Sequence, residues 1–183
     1  MATTTATNSY LQRLIGAMSL DAAIYEEVEA DRGATGQALA TVLLSSIAAG
    51  IGSRGIEPVS ITSTIFITTI SLIAWVAWAL LTFEIGGRLL PEPQTRVDAG
   101  ELLRTIGFAS TPGMLRVLGV IPGATVPVFA ATAVWMLLAM IVAVRQALDY
   151  RGTARAVAVC MLGWVLAIAI AVVLGLFFGP TLS

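Results

Sequence analysis

Four stretches of this chain carry no charged residue: Thr35 to Gly52, Ile61 to Phe83, Val128 to Val144 and Ala156 to Phe178. At about 1.5 Å of helical rise per residue, each crosses most or all of a hydrocarbon core of about 30 Å. Lipid offers a backbone no hydrogen bonds, so stretches of this kind fold there as helices, which satisfy their own amides. With 57% hydrophobic and 11% charged residues and a mean hydropathy of +0.91, an ordinary soluble domain is excluded. The expectation is an all-α integral membrane protein.

A fifth stretch, Asp98 to Gly123, is apolar but holds Arg104, Arg116 and, between them, Pro112. The arginines are separated by about 18 Å of helix, which puts them near opposite interfaces with their stems snorkelling outward. Pro112 removes a backbone donor and, with Gly107 and Gly113, predicts a kink or a break. Two readings of that kink stay open: it is packing geometry, or the carbonyls it frees near Ala109 line a binding site. Counted as a crossing, the segment completes a polytopic transmembrane helical bundle of five spans, at about 35–52, 61–83, 102–121, 128–144 and 156–178. The chain then divides into an N-terminal helical segment, 1–34, and a transmembrane domain, 35–179.

Met1 to Asn8 are small and polar and are expected to be disordered. No basic region followed by an apolar core precedes them, so no cleaved signal peptide is expected. Leu11, Leu14, Ile15 and Met18 share a helical face, with Gln12, Arg13 and Ser19 elsewhere, which predicts an amphipathic helix on the membrane surface. Ser19 is placed to cap a second helix, with Asp21 in its first turn and Ile24, Tyr25 and Val28 as its apolar stripe. Glu26, Glu27, Glu29 and Asp31 make that helix acidic: a solvated face, or a docking surface for a basic partner or a cation.

The connections carry the remaining charge. The loop after the first span turns at Pro58. Glu84 and Arg88 are spaced i,i+4 in the favourable order, which predicts an ion pair; a proton or cation site at the membrane edge is the alternative. Gly86 and Gly87 are expected to release the helix, and Asp98 with Glu101 forms a capping-box-like start for the third span. Arg145, Arg151 and Arg155 cluster around Asp149. Trp75 and Trp78, three apart within the second span, read as a packed aromatic pair rather than an interfacial belt. The small residues of Thr35 to Gly52 suggest close helix packing and suit pairing with a second copy.

With five spans, eight of the ten arginines fall on one side, and only Arg54 and Arg116 on the other. The positive-inside rule then puts the N-terminus in the cytoplasm and the C-terminus outside. Much chemistry is closed to the chain. There is no lysine for a Schiff base and no histidine for base catalysis or metal ligation. Cys160 is the only cysteine and lies in an apolar run, as a small buried hydrophobe. No catalytic set, cofactor or metal site is expected, and a net charge of −1 with arginines interleaved among acids argues against nucleic acid.

Residues spread over about 10–178 carry a resemblance: LDAAIYEEVEAD followed by ATGQAL, the pair Trp75 and Trp78, IGGRLL, the array Arg104, Gly107, Phe108, Ala109 and Pro112 within LLRTIGFASTPGMLRVLGVIP, then Trp135 and VAVRQALDYRGTARAVAV. In these the chain resembles the Yip family, the Ypt/Rab-interacting membrane proteins, in its bacterial branch. The resemblance implies a five-span helical bundle with a cytoplasmic N-terminus. Eukaryotic members bind prenylated Rab GTPases and act in vesicle formation. Their motif of aspartate-leucine-tyrosine-glycine-proline type is absent here, so fold and membrane are what carry over. The expected function is a non-enzymatic scaffold, adaptor or membrane organiser in the inner membrane, contacting lipids and an unidentified membrane or cytoplasmic protein. A small transporter or channel, with Glu84, Arg104 and Arg116 along the kinked third span, is the alternative.

Overall fold

The computed structural model describes residues 8–55, 61–95 and 98–178. The expectations for residues 1–7, Pro58 and Arg96 lie outside them. Seven α-helices account for most of the described chain: α1 (Tyr10–Met18), α2 (Ala22–Ala30), α3 (Thr35–Gly52), α4 (Ile61–Glu84), α5 (Ala99–Ala109), α6 (Thr125–Ala147) and α7 (Thr153–Phe178). No strand forms among the described residues. Two helical stretches, Arg32–Gly52 and Thr125–Ala147, have the length and hydropathy to cross a membrane. Only 22% of the apolar window of the second is buried, far less than a helix enclosed in a soluble core would show. Its exposed surface includes Val126, Val134 and Leu138, and α3 presents Leu39, Leu43 and Leu44 in the same way.

The first two helices form an antiparallel hairpin. Ser9 opens α1 with a capping box completed by Gln12. The turn between the helices differs from the expected one. Ser19 closes α1, and Asp21 is the N-cap of α2, its carboxylate accepting from the Ala23 amide. The chain reverses through Leu20 in the left-handed region, φ 61°, so Asp21 is the first residue with extended backbone free to cap. Across the hairpin Arg13, 1% exposed, donates to Glu27 at 2.9 Å and to Asp31 at 2.6 Å, and its third donor reaches Gln37 of α3 at 2.9 Å. Asn8 also bonds Glu27. The apolar face of α1 is divided, with Leu14 packed against the core, and of its polar residues Arg13 alone is buried, Gln12 and Ser19 being exposed. Leu11 and Ile15 point outward at 65% and 56% exposure.

The hairpin is pinned to the bundle at four more points. Ile24, Tyr25 and Val28 are buried as expected, and the Tyr25 hydroxyl donates to the Ala17 carbonyl. Tyr10 packs edge-on to Phe108 of α5 and shares a hydrogen bond with Thr41 of α3. Trp135 of α6 donates its indole N–H to the Met18 carbonyl at 2.8 Å. Gln146 of α6 donates to Glu26.

The third segment breaks where proline predicts. Asp98 caps α5 by accepting from the Glu101 amide. The α-helix ends at Ala109, and Thr111–Val120 continues as a 3-10 stretch with Pro112 in its first turn. Carbonyls loosened there are already occupied: Ser110 donates to Gly107 and Thr111 to Phe108. These local bonds favour packing geometry as the reading of the break. Its lining is the small face of α3, where a Cβ on Gly107 would stand 2.7 Å from that of Ala38, and one on Gly113 would collide with Ser45. That face is consumed within the chain, so a second copy would have to bind elsewhere.

Removing the Arg13 guanidinium leaves two carboxylates facing each other, a loss on the order of 2 kcal/mol for partly buried pairs. We expect Arg13→Ala to raise amide exchange across Tyr10–Ala30 about thirtyfold by mass spectrometry, with exchange in α6 unchanged. Uniform acceleration, or none, would contradict the assignment of Arg13 as the clasp of the hairpin.

Candidate functional site

The connections that carry the charge meet at one end of the bundle. After Glu84 the helix does not stop at Gly86 and Gly87 but widens into a π-helical turn, Ile85–Leu89, closed by the Leu90 amide on the Ile85 carbonyl. Glu84 and Arg88 form the expected pair at 2.7 Å. Both are well exposed, so the pair contributes little to stability. The following residues reach across to the α6–α7 turn: Gln94 donates to the Asp149 carbonyl, Glu92 takes Arg155 at 3.4 Å, and the Tyr150 hydroxyl donates to the carbonyls of Gly86 and Leu90 at 3.0 and 2.9 Å. Asp149 makes that turn possible by taking φ 51°, a conformation aspartate tolerates.

A polar cleft of about 530 Å³ opens at this end, lined by Glu26 and Glu29 of α2, Glu101 of α5, and Arg145, Asp149 and Arg151. Arg104 fixes the end of α2 that forms one of its walls. Buried at 6% exposure, it donates to the Val28 carbonyl at 3.0 Å and to the Glu29 carbonyl, the unsatisfied C-terminal end of α2. The expectation that Arg104 snorkels outward is corrected here. A guanidinium next to open helix carbonyls gains fixed hydrogen bonds that water or headgroups would supply less rigidly. By holding the end of α2 against α5, Arg104 brings the Glu29 side chain toward Glu101.

Burial, then the nearby charges of Glu101, Asp149 and Glu26, push the Glu29 carboxyl up to about 7. The Arg145 Nε is buried without a hydrogen-bond partner. The cleft thus combines carboxylates, one able to change charge near neutrality, with arginine donors that form no ion pair among the described residues. It suits a cationic or zwitterionic group. Among the described residues no cluster of acidic or thiol groups has the arrangement of a metal site.

The expected site residues divide between places. Arg145 and Asp149 meet in the cleft, and Arg151 joins them, whereas Arg155 turns to Glu92 and the Pro91 carbonyl. Pro112 is buried in the break. Glu84 and Arg88 stand apart on the surface beside an apolar groove that holds Leu102 and Leu103. Arg116 does not snorkel either. Its guanidinium lies 5.3 Å from the centre of the Phe129 ring and donates to Thr132 at 3.3 Å, facing a second cavity walled by Trp75, Trp78 and Trp164. The acidic face of α2 is likewise split: Glu27 and Asp31 serve Arg13, while Glu26 and Glu29 serve the cleft.

Sequence reasoning missed Arg13, Tyr150 and Trp135 as organising residues. A signal existed for the first, because Glu27 and Asp31 are spaced i,i+4 and present paired acceptors on one helical face. Comparisons with family models, curated proteins and solved structures return no match for this chain.

Because its folded-state pKa is raised from 4.5 to about 7, Glu29 costs stability progressively as pH rises between those values. We expect Glu29→Gln to melt higher than the wild type at pH 8, and the two curves to converge below about pH 4.5. The Arg13 bond holds Asp31 below its ordinary value, so its contribution is lost only on further acidification, equally in both proteins. A constant difference in melting temperature from pH 4 to 8 would contradict the raised carboxyl.

Proposed function

We propose that this chain is a non-enzymatic, Yip-like integral membrane protein of the inner membrane, a scaffold or membrane organiser that presents its charged cleft to a partner. The observation that carries this reading is segregation. Charged side chains gather at the end formed by α2, the Glu84–Asp98 connection and the α6–α7 turn, whereas the flanks of α3, α4, α6 and α7 expose Leu44, Leu80, Leu138 and Val165. A surface of that kind belongs in lipid with its charged end in water.

In this reading the five helical stretches cross as α3, α4, the α5 segment with its 3-10 continuation, α6 and α7, the N-terminus is cytoplasmic and the C-terminus outside. The cleft then faces the cytoplasm, where Arg145 and Arg151 meet anionic headgroups or acidic side chains and Glu26, Glu29, Glu101 and Asp149 meet cationic ones. The alternative, a small transporter, draws support from the cavity beside Arg116. Against it, the carbonyls loosened at the break are occupied by Ser110 and Thr111.

Two measurements test the proposal. In a Cys160→Ala background, cysteines at Pro122 and Gly152, both exposed, should react with impermeant reagents from opposite sides, Pro122 from outside and Gly152 from the cytoplasm; the reverse, Pro122 from the cytoplasm and Gly152 from outside, would remove the third crossing. A photo-crosslinker at Ala30, which is exposed and lines the cleft while Tyr25 and Val28 are buried, should capture one protein repeatedly from native membranes. Recovery of lipid or self alone would exclude the adaptor role.

A further inference from the structure

The cavity beside Arg116 has a composition that the docking role does not use. It encloses about 200 Å³ between α4, α6, α7 and the 3-10 stretch, lined by Trp75, Trp78, Met136, Leu137 and Trp164 with Arg116 at one side. A smaller chamber of about 60 Å³ continues past Arg116 toward Ser45 and Ser110. No carboxylate lies within ion-pair distance of Arg116 among the described residues. Among the described residues its guanidinium meets a ring face and one hydroxyl, and that hydroxyl already donates to the carbonyls of Val128 and Phe129. The indole N–H groups of Trp75 and Trp78 are buried without partners. The indoles and the guanidinium supply the chamber with hydrogen-bond donors, and among the described residues no acidic, amide or hydroxyl side chain lines it.

We propose that this cavity binds the carboxylate head of a single-chain lipid, a free fatty acid, seated on the Arg116 guanidinium. One uncompensated cation among apolar walls calls for one negative charge. A guanidinium takes a carboxylate through paired hydrogen bonds, and the neighbouring indoles hold further donors for its oxygens after small ring shifts. The size of the chamber selects a head carried by one chain, since a phosphodiester has ester arms on both sides to accommodate. The first methylenes lie along Met136, Leu137 and Met140, and Trp164, 42% exposed, forms the rim on the lipid-facing side. This proposal rests only on the chain's residence in lipid and is independent of the cytoplasmic docking role.

The three indoles are the reporters. The full-length protein in phosphatidylcholine nanodiscs is titrated with a fatty acid brominated in mid-chain, at a pH where the acid is ionised, and tryptophan emission is followed. Saturable quenching is expected, with apparent affinity at least tenfold weaker for the brominated methyl ester and for Arg116→Gln with the acid. Arg116→Lys should retain saturable binding. Ala133→Phe, which fills the chamber while leaving Arg116 in place, should abolish it, and decides the matter if Arg116→Gln fails to fold by circular dichroism and elution profile. Equal, unsaturable quenching by acid and ester would overturn the proposal, since annular lipid behaves that way. Saturable quenching by brominated phosphatidylglycerol that displaces the acid would overturn it too, assigning Arg116 to a phosphodiester.

Discussion

A guanidinium shut away from water must find oxygen or a ring face, and this fold is arranged around three that are. Arg13 is clasped by two carboxylates and an amide, Arg104 by the carbonyl end of a helix, and Arg116 by Phe129 and a threonine hydroxyl. Each solution joins elements far apart in sequence. Arg13 closes the N-terminal hairpin and ties it to α3. Arg104 joins that hairpin to α5, 75 residues further on. Because arginine stays charged at any ordinary pH, these links do not loosen near neutrality, unlike the carboxyl of Glu29 above them.

The break in the third segment depends on the same economy of space. α3 offers Ala38, Ser45 and Gly52 where larger residues would hold neighbours away, and Gly107 and Gly113 let the backbone settle against them. A 3-10 stretch ten residues long is unusual. Here it is held between α3 and α6, and it carries Arg116 toward the cavity rather than toward an interface.

The outline of the helices was legible because hydropathy and charge are strong, local signals. The expected stretch 35–52 coincides with α3, and 128–144 falls inside α6. Asp98 and Pro112 announced the start and the break of the third segment through rules that need no tertiary partner. What the sequence hid was direction. The snorkelling rule assumes that the nearest polar medium is the headgroup layer, and for Arg104 the end of α2 was nearer. Likewise nothing in the spacing of α1, whose apolar face is expected on the membrane surface, announced that Arg13 beside it would be buried between Glu27 and Asp31. The cleft itself draws residues from α2, α5 and the α6–α7 turn, which no spacing rule brings together.

One phenol joins the two connections at the charged end. Burial pushes the Tyr150 hydroxyl above its ordinary pKa, so it keeps its proton throughout the physiological range, yet it faces two carbonyls, those of Gly86 and Leu90. A single hydrogen cannot serve both fully. The π-helical turn is therefore tied to the α6–α7 turn through one shared proton. One hydroxyl thus fastens both Gly86, inside the π-helical turn, and Leu90, at its close, to the α6–α7 turn.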